Sequence, residues 1–523
     1  MTAPTFVSPP GAGIDHLLRQ GLFRTPDKVA LVDDQGTITY REAEASSNRL
    51  ARWLAGRGIR HGDRVALILP NGIPFIVAEL AILRLGAVKV PLNIRFAAPE
   101  VLYALADCAP TALIATPDYA ARVEAERAKV PSLGTIVTVG GDAGAGASAY
   151  ETIVAQGDAS AVPAAAYRDD DPVLIRYTGG TTGRPKGVVH THRSYMAVVL
   201  DVVRENALVE QDVALHLGHL SHGLNFMWPA WYLLGATQVV RERFDPATTW
   251  RDFVGHRITW VYMVPTMIHM LLEADDPGAD VSALRCFTYA SAPMPVPLLR
   301  RALKRFGNVF TQVYTLSEAP VITTMMRPHE HLETESECGP RLASVGREVP
   351  TFALRLLDDR GRDVAPGEVG EIAVRSENNM AGYWNLPEET ARTLVDGWLR
   401  TGDMARRAPD GFLYLADRKK DIVITGGFNV WPKEVEDALL GHPDVAQAAV
   451  VGAPDEKWGE IIVAYVVAKP GRSPSGDALA AHCLDLLADY KKPRRVHFVD
   501  TLPLTPVGKV SRAALRERAR GGG

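Results

Sequence analysis

Residues 173–187 read VLIRYTGGTTGRPKG, a mainly apolar run followed by a segment rich in glycine and threonine. Val173–Tyr177 is a mainly apolar run, which predicts a buried strand. In Thr178–Gly187, glycines let the backbone turn tightly and aim its N–H groups inward, which makes a nest for phosphate oxygens. Threonine hydroxyls add donors, and Lys186 adds a positive charge. The stretch therefore predicts a loop that binds phosphate or nucleotide directly after a strand.

Two other interpretations of this loop carry less weight. A surface turn rich in glycine and threonine is common, but such turns rarely combine so many donors with a lysine and a preceding buried strand. A Walker-type loop needs a lysine immediately after its last glycine, followed by serine or threonine. Here Arg184 and Pro185 precede Lys186, and Gly187 follows it. The Walker interpretation is therefore excluded.

Strand-like runs and helical patterns alternate on both sides of the loop. Thr39 and Glu42 form a capping-box pattern before a predicted helix, and Phe75–Leu85 has helical periodicity. This β-α-β alternation predicts a mainly parallel sheet covered by helices. The other predicted strands are Val65–Leu69, Lys89–Leu92, Val213–Leu217, Thr237–Val240, Trp260–Val264 and Val309–Tyr314.

The pattern changes after about residue 344. Phe352–Leu357 and Gly370–Val374 alternate in polarity, which predicts a smaller antiparallel sheet. The charged segment Asp417–Asp421 then precedes a strand, helix and strand pattern. A chain of 523 residues is expected to form more than one domain. We therefore predict an N-terminal domain over 1–417, with a β-rich sub-domain at about 344–417, and a mobile α+β C-terminal domain over 418–523. An ordinary charged turn is the alternative to a boundary at 417–421.

The composition is that of a soluble globular protein and gives no general attraction to nucleic acid or to anionic membranes. Hydrophobic residues make up 47% of the chain, charged residues 23%, and the net charge is −4. The first 13 residues lack a signal-peptide pattern, and apolar runs such as Ile461–Ala468 are strand-sized. The four cysteines are scattered and form no CxxC pair, so neither a zinc site nor disulfides are predicted. The expected location is the reducing cytoplasm.

The loop is the first of six motifs that recur here in the order known from one family. Each motif is weak alone, but six in order are highly specific. The chain resembles the adenylate-forming superfamily of acyl-CoA synthetases, luciferases and peptide-synthetase adenylation domains, and it is most similar to the stand-alone acyl-CoA ligases. The resemblance covers nearly the whole chain. The other five motifs are Tyr314–Glu318 (YTLSE), Thr401–Asp403 (TGD), Asp417–Asp421 (DRKKD), Gly426–Asn429 (GGFN) and Pro506–Lys509 (PVGK).

The resemblance implies that a carboxylate attacks the α-phosphate of ATP and expels pyrophosphate. Both reactants are anionic, so the enzyme must supply cations and hydrogen-bond donors. Glu318 resembles the carboxylate that holds Mg²⁺, an ion that often takes only one or two protein carboxylates. Lys509 resembles a C-terminal lysine that reaches the α-phosphate. The positions that resemble ATP- and AMP-binding residues are Thr178, Gly179, Gly180, Thr181, Thr182, Gly183, Lys186, Ser291, Ala292, Pro293, Gln312, Tyr314, Thr315, Ser317, Asp403, Arg418 and Lys509.

The small domain is expected to serve both half-reactions. In the family this domain pivots near the fourth residue of the charged segment, which is Lys420 here. After rotation, Gly426 and Gly427 would line the channel for the pantetheine arm of coenzyme A, because missing side chains allow a close approach. Tyr490 and Lys492 are candidates for contacts with the nucleotide of coenzyme A.

The acid pocket is expected near two strand ends. His222, Phe226, Ala290, Thr315 and Leu316 are its candidate residues, although a structural histidine and a core phenylalanine are the alternatives for the first two. Residues 220–228 contain no acid, which argues against an amino-acid substrate. Many CoA ligases have glycine where Thr315 stands. A β-branched residue there favours a short, medium or ring-shaped acid over a long straight one.

Several functional alternatives stay open at this point. An acyl-CoA ligase using ATP, Mg²⁺ and coenzyme A is favoured, with His222, Lys186, Glu318 and Lys509 as its catalytic candidates. A ligase that loads the phosphopantetheine thiol of a carrier protein is the second class. A non-catalytic binding paralogue is the third, and an oxygenase of the luciferase type has no specific support. The sequence leaves the oligomeric state open, a homodimer included, and names neither the acid nor the pathway.

Overall fold

The computed structural model describes residues 13–141, 144, 146–163, 167–178, 185–336, 339–418, 421–425, 428–455, 458–505 and 509–520, with the backbone alone at 417–418 and 428–429. Its helices are α1 (Ile14–Arg24), α2 (Tyr40–Gly56), α3 (Ile73–Arg84), α4 (Ala98–Cys108), α5 (Pro117–Ala125), α6 (Tyr150–Gln156), α7 (His192–Glu205), α8 (Trp228–Leu234), α9 (Pro246–Gly255), α10 (Pro265–Glu273), α11 (Val296–Phe306), α12 (Pro387–Thr393), α13 (Pro432–Leu440), α14 (Gly476–Leu486) and α15 (Arg512–Arg520).

The strands before residue 350 are β1 (Val29–Val32), β2 (Thr37–Thr39), β3 (Arg64–Ile68), β4 (Val88–Pro91), β5 (Ala112–Ala115), β6 (Thr135–Thr138), β7 (Ser148–Ala149), β8 (Pro172–Thr178), β9 (Lys186–Thr191), β10 (Val213–His216), β11 (Thr237–Val240), β12 (Trp260–Met263), β13 (Cys286–Tyr289), β14 (Phe310–Tyr314), β15 (Thr324–Met326), β16 (Glu335–Ser336), β17 (Gly339–Pro340) and β18 (Arg347–Glu348). The later strands are β19 (Ala353–Leu357), β20 (Gly370–Arg375), β21 (Gly382–Tyr383), β22 (Leu394–Val395), β23 (Trp398–Arg407), β24 (Leu413–Arg418), β25 (Val423–Thr425), β26 (Phe428–Val430), β27 (Val445–Asp455), β28 (Gly459–Ala468) and β29 (Arg495–Phe498).

The chain divides into two compact units. The first comprises residues 1–334, 341–353 and 374–399, and the second comprises residues 335–340, 354–373 and 400–523. The predicted β-rich segment 344–417 is therefore divided almost evenly between the two units. The predicted boundary at 417–421 lies within the second unit and stays a prediction about where the chain pivots.

The first unit contains two large sheets. One has the order β18-β15-β14-β13-β12-β10-β11-β1-β2, with parallel pairing from β14 to β1. The other has the order β21-β9-β8-β4-β3-β5-β6-β7, with parallel pairing from β8 to β7. Each sheet buries its own apolar cluster against helices. The predicted parallel sheets with helical cover are thus confirmed. Helices on the faces of a parallel sheet bury its apolar strands.

The second unit contains two smaller sheets. In one, β23 pairs antiparallel with β24 and lies beside β20, as the alternating pattern predicts. In the other, β28 lies between β27 and β25, with β29 parallel to it. Alternate residues of β28 enter two separate apolar clusters, one with α13 and α14 and one with α15. Burial on both faces explains why Ile461–Ala468 is continuously apolar.

Local signals in the N-terminal sequence are also confirmed. The hydroxyl of Thr39 accepts a hydrogen bond from the backbone N–H of Glu42, and the Glu42 carboxylate accepts one from the backbone N–H of Thr39, so α2 begins with a capping box. Among the described residues, none of the helices has the length and apolar character that crossing a membrane requires.

Candidate active site

The phosphate loop connects two strands of a hairpin. β8 and β9 pair antiparallel, and Thr178 lies directly opposite Lys186. The loop residues Gly179, Gly180, Thr181, Thr182 and Gly183 lie outside the described residues. The strand before the loop was predicted, whereas β9 was not. The hairpin fixes the start of the loop beside the lysine that ends it.

Gly187 holds the hairpin close to its neighbours. A Cβ atom at this position would lie 2.9 Å from Cγ2 of Ile175 and 3.2 Å from Cβ of Trp384. The backbone N–H of Trp384 donates to the carbonyl of Gly187 at 2.7 Å. Only a residue without a side chain permits this approach, which gives a steric reason for glycine at position 187.

Lys186 forms an ion pair with Glu389, in the first turn of α12. Its ammonium also lies 5.1 Å from the centre of the Tyr383 ring, a distance at which cation–π attraction acts. The hydrogen bond from Lys186 lowers the pKa of the Glu389 carboxyl below its ordinary value. Glu389 therefore stays ionised at neutral pH and holds the ammonium of Lys186 at the end of the phosphate loop. Sequence reasoning missed both partners.

Glu318 contacts the hydroxyl group of the same tyrosine, whose ring lies near Lys186. The Tyr383 hydroxyl donates to Oε1 of Glu318 at 2.9 Å, and the backbone N–H of Met380 donates to the Glu318 carbonyl at 2.8 Å. Burial, followed by the charge of Glu318, raises the pKa of Tyr383 far above its ordinary value. Tyr383 thus remains a neutral donor that orients the candidate metal ligand and also contacts the candidate phosphate lysine.

Arg176 lies within the mainly apolar run before the loop, and the sequence analysis did not identify it as a site residue. Its guanidinium donates to the His222 carbonyl at 3.2 Å and to the Ser317 hydroxyl, and it lies 5.0 Å from the Phe226 ring centre. Burial lowers its pKa to about 10, although the charge of Glu318 opposes that shift. The signal that could have revealed Arg176 is a lone cation two residues before Thr178, on the same side of the strand.

His190 lies on β9 within the same cluster. Its Nε2 lies 2.9 Å from the Ser317 carbonyl, and its ring contacts Phe226 edge-on at 4.9 Å. Burial lowers the pKa of His190 to about 3. The imidazole is therefore neutral at physiological pH and helps to fix the backbone next to Glu318.

The candidate acid-pocket residues follow the carboxyl ends of parallel strands in the first sheet. His222 follows β10, Ala290 follows β13, and Thr315 and Leu316 follow β14. Ligands of parallel sheets commonly bind outside these ends. The Thr315 hydroxyl accepts a hydrogen bond of 2.6 Å from the backbone N–H of Val321, so it also shapes the turn before Glu318.

A buried ion pair supports the segment that carries His222. The ammonium of Lys89 donates to Glu79 at 3.0 Å, and both side chains are fully buried. The same carboxylate accepts hydrogen bonds from the Asn225 amide at 2.5 Å and the Trp228 indole at 2.8 Å. Phe226, between these two anchors, is fully buried in the fold.

Several of the candidate ATP- and AMP-binding residues lie at or just after the ends of two adjacent strands. Gln312 pairs with Tyr289 across β14 and β13, and it precedes Tyr314 on the same strand. Gln312 is buried, and no described residue forms a hydrogen bond with its Oε1. Ser291 has a positive φ of 70°, and its hydroxyl lies 2.6 Å from that of Tyr262. Such backbone strain is often found at binding sites. The other candidates, Ala292 and Pro293, are exposed.

The candidate ATP-binding residues Asp403 and Arg418 lie on paired strands in the second unit. Asp403 on β23 lies opposite Arg418 on β24, and Asp403 is nearly buried. Its backbone N–H donates to the Thr401 hydroxyl at 3.1 Å. Asp403 is therefore a strand residue.

The remaining C-terminal candidates also lie in the second unit. Lys509 is exposed, and its backbone N–H donates to the Thr505 hydroxyl at 3.2 Å. Tyr490 packs on the apolar cluster beneath α13, and Lys492 follows it half-buried. Asp421, at the end of the charged segment, forms ion pairs with two arginines of α15. The predicted pivot Lys420 and the glycines Gly426 and Gly427 lie outside the described residues.

Comparisons with known proteins identify the family of the chain. Residues 18–384 match the AMP-binding enzyme family, and residues 434–509 match the AMP-binding enzyme C-terminal domain. The chain is 37% identical to a feruloyl-CoA synthase from Amycolatopsis sp, covering 94% of this chain and 96% of the relative. It is 34% identical to the fatty acid–[acyl-carrier-protein] ligase ScoC from Streptomyces coeruleorubidus, covering 94% of each. The structure of the anthranilate CoA ligase AuaEII, in complex with anthranoyl-AMP, matches with a TM-score of 0.89 and 28% identity over 98% of each chain. The chain belongs to the adenylate-forming family of AMP-binding enzymes.

Proposed function

We propose that this enzyme is an AMP-forming acyl-CoA synthetase, an acid–thiol ligase. It activates a carboxylic acid with ATP as acyl-AMP, releases pyrophosphate, and transfers the acyl group to coenzyme A. The observation that carries the proposal is that Lys186 and Glu318 contact the same residue, Tyr383. A cation for phosphate and a carboxylate for a metal are thereby brought to the end of one hairpin. The relatives named as CoA ligases match both parts of the chain.

The first half-reaction joins two anions. A carboxylate oxygen attacks the α-phosphorus, and the bond between the α-phosphorus and the oxygen that bridges to the β-phosphate breaks. Lys186 supplies positive charge for the departing pyrophosphate, since this reaction is catalysed mainly by positioning and electrostatic stabilisation. Gln312 offers a buried acceptor suited to the amino group of adenine. Lys509 supplies charge at the α-phosphate when the C-terminal part closes.

The donor set around Glu318 fits Mg²⁺. Glu318 is a single half-buried carboxylate, and the described residues contain no cluster of three or more metal-binding side chains. Mg²⁺ suits such a site because it commonly takes one or two carboxylates together with phosphates and water. The ion would neutralise charge on the triphosphate, while Tyr383 orients Glu318 through its hydroxyl.

The second half-reaction forms the thioester. The sulfur of coenzyme A attacks the acyl carbon after losing its proton, and the bond to the phosphate oxygen of AMP breaks. We assign Gly426, Gly427, Tyr490 and Lys492 to coenzyme A on the family pattern. The Thr315 side chain favours a short, medium or ring-shaped acid.

A panel of carboxylic acids tests this function. Pyrophosphate release should depend on the acid, and acyl-CoA with AMP should appear when coenzyme A is added. Absence of pyrophosphate release with every acid would refute the proposal. The similarity to ScoC favours a carrier protein as the second candidate acceptor. A carrier protein is the acceptor if acyl-AMP forms but only a phosphopantetheine-bearing carrier protein, and not coenzyme A, accepts the acyl group.

Two variants test the roles of the C-terminal part. Lys509→Ala should abolish acyl-AMP formation but largely preserve thioester formation from supplied acyl-AMP. Lys420→Pro should impair thioester formation more than adenylation, because the substitution removes backbone freedom at the pivot. Normal adenylation by the first variant, or equal losses in the second, would overturn the respective assignment.

A further inference from the structure

Arg176 is a buried cation without a directly paired carboxylate among the described residues, and the charge of Glu318 acts on it only from beyond ion-pair distance. Only 4% of the residue is exposed. Its described hydrogen-bond partners, the His222 carbonyl and the Ser317 hydroxyl, are both neutral. Across the described parts of the chain, no carboxylate lies within ion-pair distance of this guanidinium, and its Nε has no hydrogen-bond partner. A cation in this environment is costly to keep, because it has lost its water without gaining an anion.

Arg84 shows how the fold treats a comparable charge elsewhere. It is also buried, but its guanidinium pairs with Glu44 and lies 3.5 Å from Asp15. That arrangement follows the usual rule that buried charges are paired. Arg176 departs from the rule, so its anionic partner is expected to come from outside the described chain.

The location of Arg176 narrows the identity of that partner. Side chains alternate along β8, so Arg176 and Thr178 face the same side, while Ile175 and Tyr177 enter the apolar cluster on the other. Along a strand, residues two positions apart are separated by about 7 Å, so Arg176 lies about that far from Thr178, where the phosphate loop begins. One partner of Arg176 is the carbonyl of His222, a candidate acid-pocket residue. The other, Ser317, directly follows the acid-pocket candidates Thr315 and Leu316, although it is itself a candidate ATP-binding residue.

We infer that Arg176 binds a carboxylate of the acid substrate. The inference rests on the proposed function and adds a specificity residue to it. An arginine can present two parallel donors to a carboxylate, and hydrogen bonds between charged groups are the strong ones. The carboxylate is either the reacting group or a second acidic group on the same acid. Both have the same chemistry, and the choice of substrates separates them.

The test measures pyrophosphate release by wild type, Arg176→Met and Arg176→Lys. The acid is varied at saturating ATP, and ATP is varied at saturating acid. Each monocarboxylic acid in the panel is paired with the dicarboxylic acid of the same skeleton. Arg176→Met should raise KM for the acid about 10- to 100-fold, with KM for ATP within about twofold. Arg176→Lys should give a KM for the acid between those of wild type and Arg176→Met, since lysine keeps the positive charge but lacks the two parallel donors of the guanidinium.

The panel identifies which carboxylate is bound. Equal losses for both members of each pair assign Arg176 to the reacting carboxylate. A loss confined to dicarboxylic acids assigns it to the second acidic group. Unchanged KM for the acid in both variants overturns the inference. If wild type releases no pyrophosphate with any acid, the proposed function fails and this inference fails with it.

Arg84→Met is the matched control for structural damage. It removes a buried arginine whose charge is already balanced, so it should lower the melting temperature without a selective change in KM for the acid. If Arg176→Met instead lowers stability and changes both KM values in parallel, Arg176 is a structural residue and the inference is wrong. Should Arg176→Met fail to fold, Arg176→Lys decides: a selective rise in KM for the acid supports the inference, and no such rise overturns it.

Discussion

The ion pair between Lys186 and Glu389 predicts that ATP must compete with a carboxylate of the protein. Phosphate oxygens can use the Lys186 charge fully only when Glu389 releases it. Glu389→Gln removes the negative charge while keeping the size of the side chain. We therefore expect this variant to bind ATP more tightly than wild type.

The exposure of the two side chains sets the size of the effect. The Lys186 side chain is 26% exposed and that of Glu389 is 33% exposed, so solvent screens their attraction considerably. Pairs of this kind contribute about 0.5–1 kcal/mol at most. Release of that energy should strengthen ATP binding about two- to fivefold. The gain should shrink as ionic strength rises, because salt screens the pair in wild type.

Calorimetric titration of ATP in the absence of acid measures this effect directly. Glu388→Gln is the matched control, since Glu388 is the adjacent residue of α12, is 89% exposed, and pairs only with Arg392 among the described residues. The control should bind ATP as wild type does. In a Lys186→Met background, Glu389→Gln should have no effect on ATP affinity. Weaker or unchanged binding in the Glu389→Gln single variant would refute the competition and indicate that Glu389 orders Lys186 for ATP instead.

Three further predictions concern packing, orientation and protonation. Gly187→Ala should lower the free energy of unfolding by about 1–3 kcal/mol, because the added Cβ would overlap side chains of the neighbouring strand. Gly56→Ala is the control, since open space surrounds Gly56 and its free energy of unfolding should not fall in this way. Denaturant titration of both variants measures the difference. Tyr383→Phe removes one hydrogen bond to a carboxylate and should reduce kcat/KM for ATP about 10-fold in pyrophosphate release, with an unchanged value counting against an orienting role. Burial lowers the pKa of His216 to about 4, so the unfolded state binds its proton first and stability should fall as pH drops below about 6.5, by about 1 kcal/mol per such histidine at pH 5.5. His216→Phe should flatten that loss in urea titrations, and an identical pH dependence would refute the assignment.

Periodicity along the chain was sufficient to predict the elements that hold the site. Most of Val65–Leu69 lies in β3, and Thr237–Val240 forms β11, because short strands with mostly buried residues fit inside a parallel sheet. β9 was missed because its own sequence, KGVVHT, begins with the lysine and glycine of the loop and contains only two aliphatic residues. Its strand structure depends on pairing with β8, which is a tertiary property.

The partners within the site were beyond the reach of sequence patterns. Lys186 and Glu389 are 203 residues apart, and Arg176 and Ser317 are 141 residues apart. No local periodicity reports such pairs, because they arise where separate loops meet at the edges of two sheets. The motif residues could be named from their order, but what holds each of them could not.

Lys186 and Arg176 lie on the same hairpin, and their different charge balance suggests how the two substrates interact with the site. Lys186 already has a carboxylate, so ATP must displace Glu389 and loses part of its binding energy in doing so. Arg176 has no carboxylate at ion-pair distance among the described residues, and its Nε lacks a hydrogen-bond partner there, so an acid that brings a carboxylate relieves an existing cost. Binding of the acid should therefore depend more strongly on Arg176 than binding of ATP depends on Glu389. The relative sizes expected for the two variants, 10- to 100-fold for the acid and two- to fivefold for ATP, follow from burial alone.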